Sequence, residues 1–284
     1  MSAAQVLNGL ALGALLTLLA SGLALIYGLR HVMNFGHGGN YMLAAYLGTS
    51  VSAVAGFWTA LVVVPVAMFG LGVALEFAVL RPLAGRGPIE LAIVLTGIAW
   101  MLQNVIVAVY GPQARVMATP APLDGVVQIG EEPYPAYRLL LIGFGIGSVL
   151  LIAAWLRFTR SGLHVRAVSA RPDTARMAGV DTGRLGLLVV CLSTAFAGLA
   201  GVLAGPYLAV NPGMGDAILI TSLIVVVLGG IGSIAGAVVA AVVIGFVQVL
   251  GDLVVPSVAA LVPYLLLVVV LVLRPRGLMG RVIV

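Results

Sequence analysis

Apolar runs about twenty residues long recur from one end of the chain to the other, separated by short polar stretches rich in Gly, Pro and Arg. An α-helix needs about 20 such residues to cross roughly 30 Å of hydrocarbon. The pattern predicts segments at 6–29, 39–55, 57–80, 89–110, 139–156, 185–205, 217–235, 237–251 and 259–273. With 217–235 and 237–251 taken as a tightly turned pair, they make about eight spans. The stretches of about ten alternating residues that mark a membrane β-barrel strand are absent. The expected fold is an all-α polytopic membrane protein, one transmembrane domain over residues 1–284, with 39–55 or the Gly-rich 229–236 crossing only in part.

Composition supports this reading. Hydrophobic residues make up 62% of the chain and charged residues 8%, with a mean hydropathy of +1.21. A soluble domain carries about 25% charged residues and needs them to cover its surface. The net charge of +5 comes from arginines at the ends of apolar runs, where the positive-inside rule places them, so it is no nucleic-acid signal. The opening MSAAQVLNGL has no basic region, and the first run is expected to be a retained span rather than a signal peptide. Cys191, alone in an apolar run, reads as a small buried hydrophobe.

The chain has no lysine. That excludes a phosphate-binding loop of the Walker type and a Schiff-base cofactor, and no cofactor is expected. If ATP drives this protein, another chain must bind the nucleotide. Charge also orients the spans. With the N-terminus outside, Arg30, Arg81, Arg86, the six arginines of 157–184, Arg274, Arg276 and Arg281 all face the cytosol. These are twelve of the fourteen arginines; only Arg115 and Arg138 fall outside, with Asp124, Glu131, Glu132 and Asp216. The loop 111–138, with five prolines, reads as a small external cap.

Two breaks echo each other. Asn34-Phe35-Gly36-His37-Gly38 and Asn211-Pro212-Gly213-Met214-Gly215 share N-x-G-x-G at a spacing of 177 residues. Each follows a long span and precedes a shorter one, on opposite sides of the membrane. That is the signature of an inverted repeat, whose interrupted helices lie against a transport path. The path candidates are Asn34, Gly36, His37, Gly38, Asn211 and Gly213, with the span residues Thr96, Gln103, Asn104 and Ser222. Taken singly, each of the latter suits a hydrogen bond between helices better than a path role. Glu76, Glu90 and Asp252 fall near span ends, where hydration makes them tolerable, and no acid falls near the bilayer middle. His31 and His37 lack a third ligand, so no metal site is expected. Gly9/Gly13, Gly143/Gly147, Gly201/Gly205 and Gly232/Gly236 have the spacing of close helix packing.

The basic stretch 157–184 reads as two short surface helices. Ser161 is the expected cap of the first, Pro172 and Asp173 open the second, and Gly179 follows its end. Asp181 or Thr182 caps the next span.

TRSGLHVRAVSARPDTARMAGVDTGRL, STAFAGLAGVLAGPY, VVLGGIGSIAGA, LRPRGLMGR and the early MNFGHGGNYMLAAYLG, in this order over nearly the whole chain, resemble the permease subunits of branched-chain amino acid ABC importers, the shorter of the two related permeases. The resemblance implies no enzyme activity in this chain. It implies a second permease, two cytosolic ATP-binding subunits and an extracytoplasmic substrate-binding protein, in a bacterial inner membrane. It assigns Gly162, Arg166, Ala167, Ala175 and Gly179 of 157–184 to docking the ATPase. A urea or short-amide permease branch is similar too, and a stand-alone secondary carrier or channel is the alternative of a different class.

Overall fold

The protein is described from a computed structural model covering residues 2–30, 32–130 and 132–279. His31, Glu131 and Arg281, which the sequence reading placed beside the first break, in the outer cap and at the inner face, lie outside the described residues. Eleven helices dominate: α1 (Ala3–Arg30), α2 (His37–Ala55), α3 (Phe57–Leu75), α4 (Pro88–Tyr110), α5 (Ala136–Phe158), α6 (Arg160–Ala170), α7 (Pro172–Met177), α8 (Thr182–Ala204), α9 (Met214–Gly229), α10 (Ile234–Val254) and α11 (Val262–Leu273). Two short strands, β1 (Val126–Ile129) and β2 (Glu132–Pro135), pair antiparallel inside the loop expected to be a cap. The protein is an all-α polytopic membrane protein, with seven helices among the described residues long and apolar enough to cross.

Helix boundaries follow from local chemistry. Pro88 and Pro172 sit in the first turns of α4 and α7, where the missing N–H costs nothing. Pro65 inside α3 does not end the helix, since packed neighbours re-satisfy a transmembrane backbone. α3 then widens into a π-turn at Glu76–Leu80, reaching the predicted end at residue 80.

The packing partners reveal the repeat. α1 lies on α10 as α8 lies on α3; α2 pairs with α3 as α9 pairs with α10, and α2 touches α4 as α9 touches α11. α1 meets α8, and α2 meets α9, across the axis between the halves. Direction is read from close contacts. A Cβ on Gly13 would lie 3.0 Å from Val242 Cα, whereas Gly28 lies beside Gly232, so α1 and α10 are antiparallel. Gly22 faces Ser193 and Gly186 abuts the Arg30 guanidinium, so α1 and α8 are antiparallel too. The halves are therefore inverted, as the N-x-G-x-G echo predicts.

The bundle has two distinct ends. Arg30, Arg81, Arg86, the arginines of 157–184, Arg274 and Arg276 gather at one, with α6 and α7; the β-hairpin, Arg115 and Arg138 occupy the other. Among the described residues the chain passes between these ends in nine helices, counting α2 and α9, both of which start inside the bundle. An odd number sets the termini at opposite ends, so no segment has to be set aside for the C-terminus to reach the arginine-rich end. The predicted partial crossing is correct for α2 but not for 229–236. There Gly230 (φ +103°) and Gly232 (φ +82°) turn the chain tightly, and α10 is a full 21 residues rather than the predicted 237–251.

Glycine spacing is mostly used as expected. Gly9 and Gly13 let α1 approach α10, Gly201 lets α8 approach Tyr41 and Ala44, and Gly236 meets Gly229 across the turn. Gly143 and Gly147 differ: nothing lies near them, and Gly145 is the glycine that brings α5 onto Ala14 of α1.

Candidate translocation path and coupling surface

Both N-x-G-x-G breaks are built alike. Asn34 Oδ1 accepts the Gly36 N–H at 3.0 Å, and Asn211 Oδ1 accepts the Gly213 N–H at 3.0 Å. An Asn side chain that bonds its own backbone two residues on makes a compact turn, which ends one helix and starts the next. The breaks then meet. A Cβ on Gly38 would overlap the Gly215 carbonyl oxygen, and one on Gly215 would stand 2.8 Å from the Gly38 oxygen. Only glycine at both positions lets the starts of α2 and α9 touch.

Their depth is read off α4, which at 1.5 Å per residue is about 34 Å long. A Cβ on Gly36 would lie 3.4 Å from the Leu95 carbonyl oxygen and one on Gly39 3.0 Å from Ala99 Cα, and Gln103 Nε2 donates to the Pro212 carbonyl at 3.0 Å. Leu95, Ala99 and Gln103 are spaced by four along one face, and Ala99 is the middle residue of α4. The half-helices α2 and α9 therefore begin near mid-membrane, approached from opposite ends.

Of the predicted path residues, Asn34, Gly36, Gly38, Gln103, Asn211 and Gly213 come together here. His37 does not face an opening. It is the first residue of α2, 1% exposed, with Nε2 bonded to the Leu19 carbonyl at 3.1 Å in a gap left by Gly22, so it pins the break to α1. Ser222 is fully buried and its Oγ has no partner among the described residues. Thr96 returns its hydroxyl to the Ala92 carbonyl and lines an apolar cavity of about 760 Å³ between the first break and α4, beside Tyr27, Phe35, Ile93 and Trp100. Asn104 lies on the open surface and donates to the Trp100 carbonyl at 2.8 Å.

Two acids were misplaced by sequence reasoning. Glu76 is not hydrated at a span end: it is 0% exposed in the π-turn and ion-paired to Arg30, with Arg81 Nε 3.8 Å away. Asp216, assigned from sequence to the outer side, follows Gly215 in the first turn of α9 and so sits near mid-depth, exposed. Run length alone put the start of that span at 217. The signal that would have found it is the second N-x-G-x-G, whose partner break is already re-entrant.

At the arginine-rich end, Thr159, not Ser161, caps α6: Thr159 Oγ1 accepts the Gly162 N–H at 3.0 Å. Ser161 instead accepts the Trp155 indole N–H at 2.9 Å. Gly162, Val165 and Val168 are buried against α5, α1 and α8, and Ala175 of α7 is buried as well. Gly162 is pressed on α5 so closely that a Cβ would lie 2.5 Å from Leu156 Cα. Arg166 is exposed and Ala167 half-buried, and Gly179 follows α7 at φ +83°. Asp181 Oδ1 caps α8 through the Arg184 N–H at 3.0 Å. The outward face mixes Arg160, Arg166, Arg171 and Arg176 with Leu163 and Met177, 54% and 81% exposed. Beside it a groove of about 420 Å³ runs between α6 and the start of α8.

An inverted repeat whose two broken helices meet at mid-membrane, with a rigid basic surface at one end, defines a membrane permease. Residues 5–271 match the family described as branched-chain amino acid transport system / permease component, and the chain belongs to that family. It is 28% identical over 298 residues to the high-affinity branched-chain amino acid transport system permease protein LivH of Escherichia coli K12, covering 98% of this chain and 95% of that one. To the corresponding permease protein BraD of Pseudomonas aeruginosa it is 28% identical over 299 residues, with the same coverage. Among solved structures it resembles PsaBC from Streptococcus pneumoniae in complex with Fab, with a TM-score of 0.51 at 16% identity over 92% of this chain and 89% of that chain, a likeness of fold alone.

Proposed function

We propose that this chain is the membrane-spanning subunit through which branched-chain or similar hydrophobic amino acids enter a bacterial cell, by alternating access around the joint of α2 and α9. The observation that carries this reading is the mid-membrane contact of Gly38 with Gly215, where one broken helix from each inverted half meets the other. Family membership and the full-length likeness to LivH and BraD support the cargo. The arginine-rich end is the cytosolic one, which leaves the N-terminus outside and the C-terminus inside the inner membrane. Two ATP-hydrolysing subunits dock on α6 and α7 through Gly162, Arg166, Ala167, Ala175 and Gly179. A second, related permease completes the path, and a substrate-binding protein delivers cargo at the hairpin end.

The path runs past the two breaks and the open face of α4. A stand-alone carrier can no longer be dismissed for want of a mid-membrane acid, since Asp216 is one. What speaks for the multi-subunit importer is the family and the rigid seating of α6. Expression of the chain with its genomic partners, reconstitution, and ATP-driven uptake of labelled leucine with leucine, urea or an ion gradient as competitor or driver tests the reading. Leucine competition and strict ATP dependence are expected. Competition by urea alone, or ion-driven uptake by the single chain, refutes it. Gly162→Val should abolish co-purification of the ATPase, because the added atoms displace α6; unchanged assembly and uptake would remove α6 from the coupling role.

A further inference from the structure

Among the described residues, the polar side chains of the membrane-spanning part are either bonded within the protein or, like Asn40, Ser193 and Ser222, buried without a partner. Thr96, Thr194 and Thr221 bond carbonyls of the preceding turn, Gln103 bonds Pro212, and Glu76 has Arg30. Asp216 differs from both groups in being an acid and exposed. Among the described residues it takes part in no ion pair, and its carboxylate accepts no hydrogen bond. It follows directly on Gly215, the residue that meets Gly38 near the level of Ala99, so it lies close to the middle of the membrane rather than at its edge. It is exposed there, in a surface widened by its small neighbours Gly213 and Ala217, both exposed too.

A carboxylate at that depth cannot face hydrocarbon, so this surface borders water or a cationic group. We propose that Asp216 receives the α-ammonium group of the zwitterionic substrate as it passes mid-membrane, a role that rests on the amino acid cargo inferred above. The position suits a passing ligand rather than a fixed partner. It adjoins the joint of the two half-helices, where the wall must move, and it offers an anion to the one charge that all amino acids of this class share. The Asp216 backbone N–H has no acceptor among the described residues, so the carboxylate end of the same molecule finds a donor beside it. Specificity at this point is for the charged backbone of the substrate, leaving its side chain to the apolar surroundings.

The test uses the complete transporter in proteoliposomes. Wild-type leucine uptake checks the cargo reading by itself; the ratio of variant to wild type checks Asp216. Asp216→Asn should lower uptake tenfold or more while the second permease and the ATPases co-purify in wild-type yield, and Asp216→Glu should recover part of the loss. In a Cys191→Ser background, Asp216→Cys should react with a water-soluble cationic thiosulfonate added from the binding-protein side, and leucine should slow that reaction. Wild-type uptake by Asp216→Asn, loss of the second permease from the complex, or a thiol inert to the reagent would each overturn the proposal.

Discussion

Removing either partner of the Arg30–Glu76 pair should destabilise the protein, and unequally. The two side chains are 21% and 1% exposed, and among the described residues Arg81 is the only other cation paired with Glu76, at 3.8 Å and 46% exposed. Arg30→Met strands a carboxylate that has no water and one poorly placed cation. Loss of one partner from a buried pair costs about 3–5 kcal/mol, and Arg81 should hold the value near the lower bound, about 3 kcal/mol. Glu76→Leu leaves Arg30 at the last turn of α1, where its head can reach the hydrated interface, so about 1–2 kcal/mol is expected. Arg30→Met/Glu76→Leu removes both charges and replaces them with apolar volume, and it should fall within about 1 kcal/mol of wild type. Unfolding in mixed micelles with increasing SDS, followed by tryptophan fluorescence, gives the three differences. The reasoning fails if the double variant equals the sum of the single ones to within about 0.5 kcal/mol, as independent sites would. It also fails if Glu76→Leu proves the more damaging change.

Two further predictions follow from local geometry. Gly38→Val and Gly215→Val should each abolish ATP-driven leucine uptake, because a Cβ at either site collides with the other break's backbone; Gly97→Val, where a Cβ meets nothing, should leave the bundle intact. If both joint variants transport normally, the joint is not the moving part. Thr159→Ala should cost about 1 kcal/mol through loss of the α6 cap, and Ser161→Ala less, measured in the same micelle assay. The reverse order would restore Ser161 as the cap.

Much of the architecture is legible in the sequence because lipid imposes one rule everywhere. Backbone groups without water must bond within their own segment, so run length reports helices, and arginine placement reports their ends. Thus the spans, the proline-opened start of α7, the cap of α8 and the N-x-G-x-G repeat were all readable. The candidate docking surface was readable too, as an outlier of charge and punctuation in an apolar chain. Even there Thr159 displaced Ser161, because two hydroxyls two residues apart compete for one helix start and the indole of Trp155 claims one of them.

What hydropathy cannot report is depth and facing. Thr96 and Asn104 look alike in sequence, yet one borders a cavity and the other the open surface. Glu76 looked hydrated because it stands near the end of an apolar run, but Arg30, forty-six positions earlier in the chain, folds onto it. Asp216 looked peripheral for the opposite reason: the chain re-enters before α9 begins, and only the contact of Gly38 with Gly215 shows how far. By itself the sequence determined a polytopic helical bundle and pointed, through the two N-x-G-x-G breaks, to inverted halves, since bilayer thickness and local turn chemistry act on neighbouring residues; the permease family came from resemblance. The tertiary structure alone decided which half-helix starts meet at mid-membrane and which acids are paired or open. Those depend on packing between segments far apart in the chain, where no local rule applies.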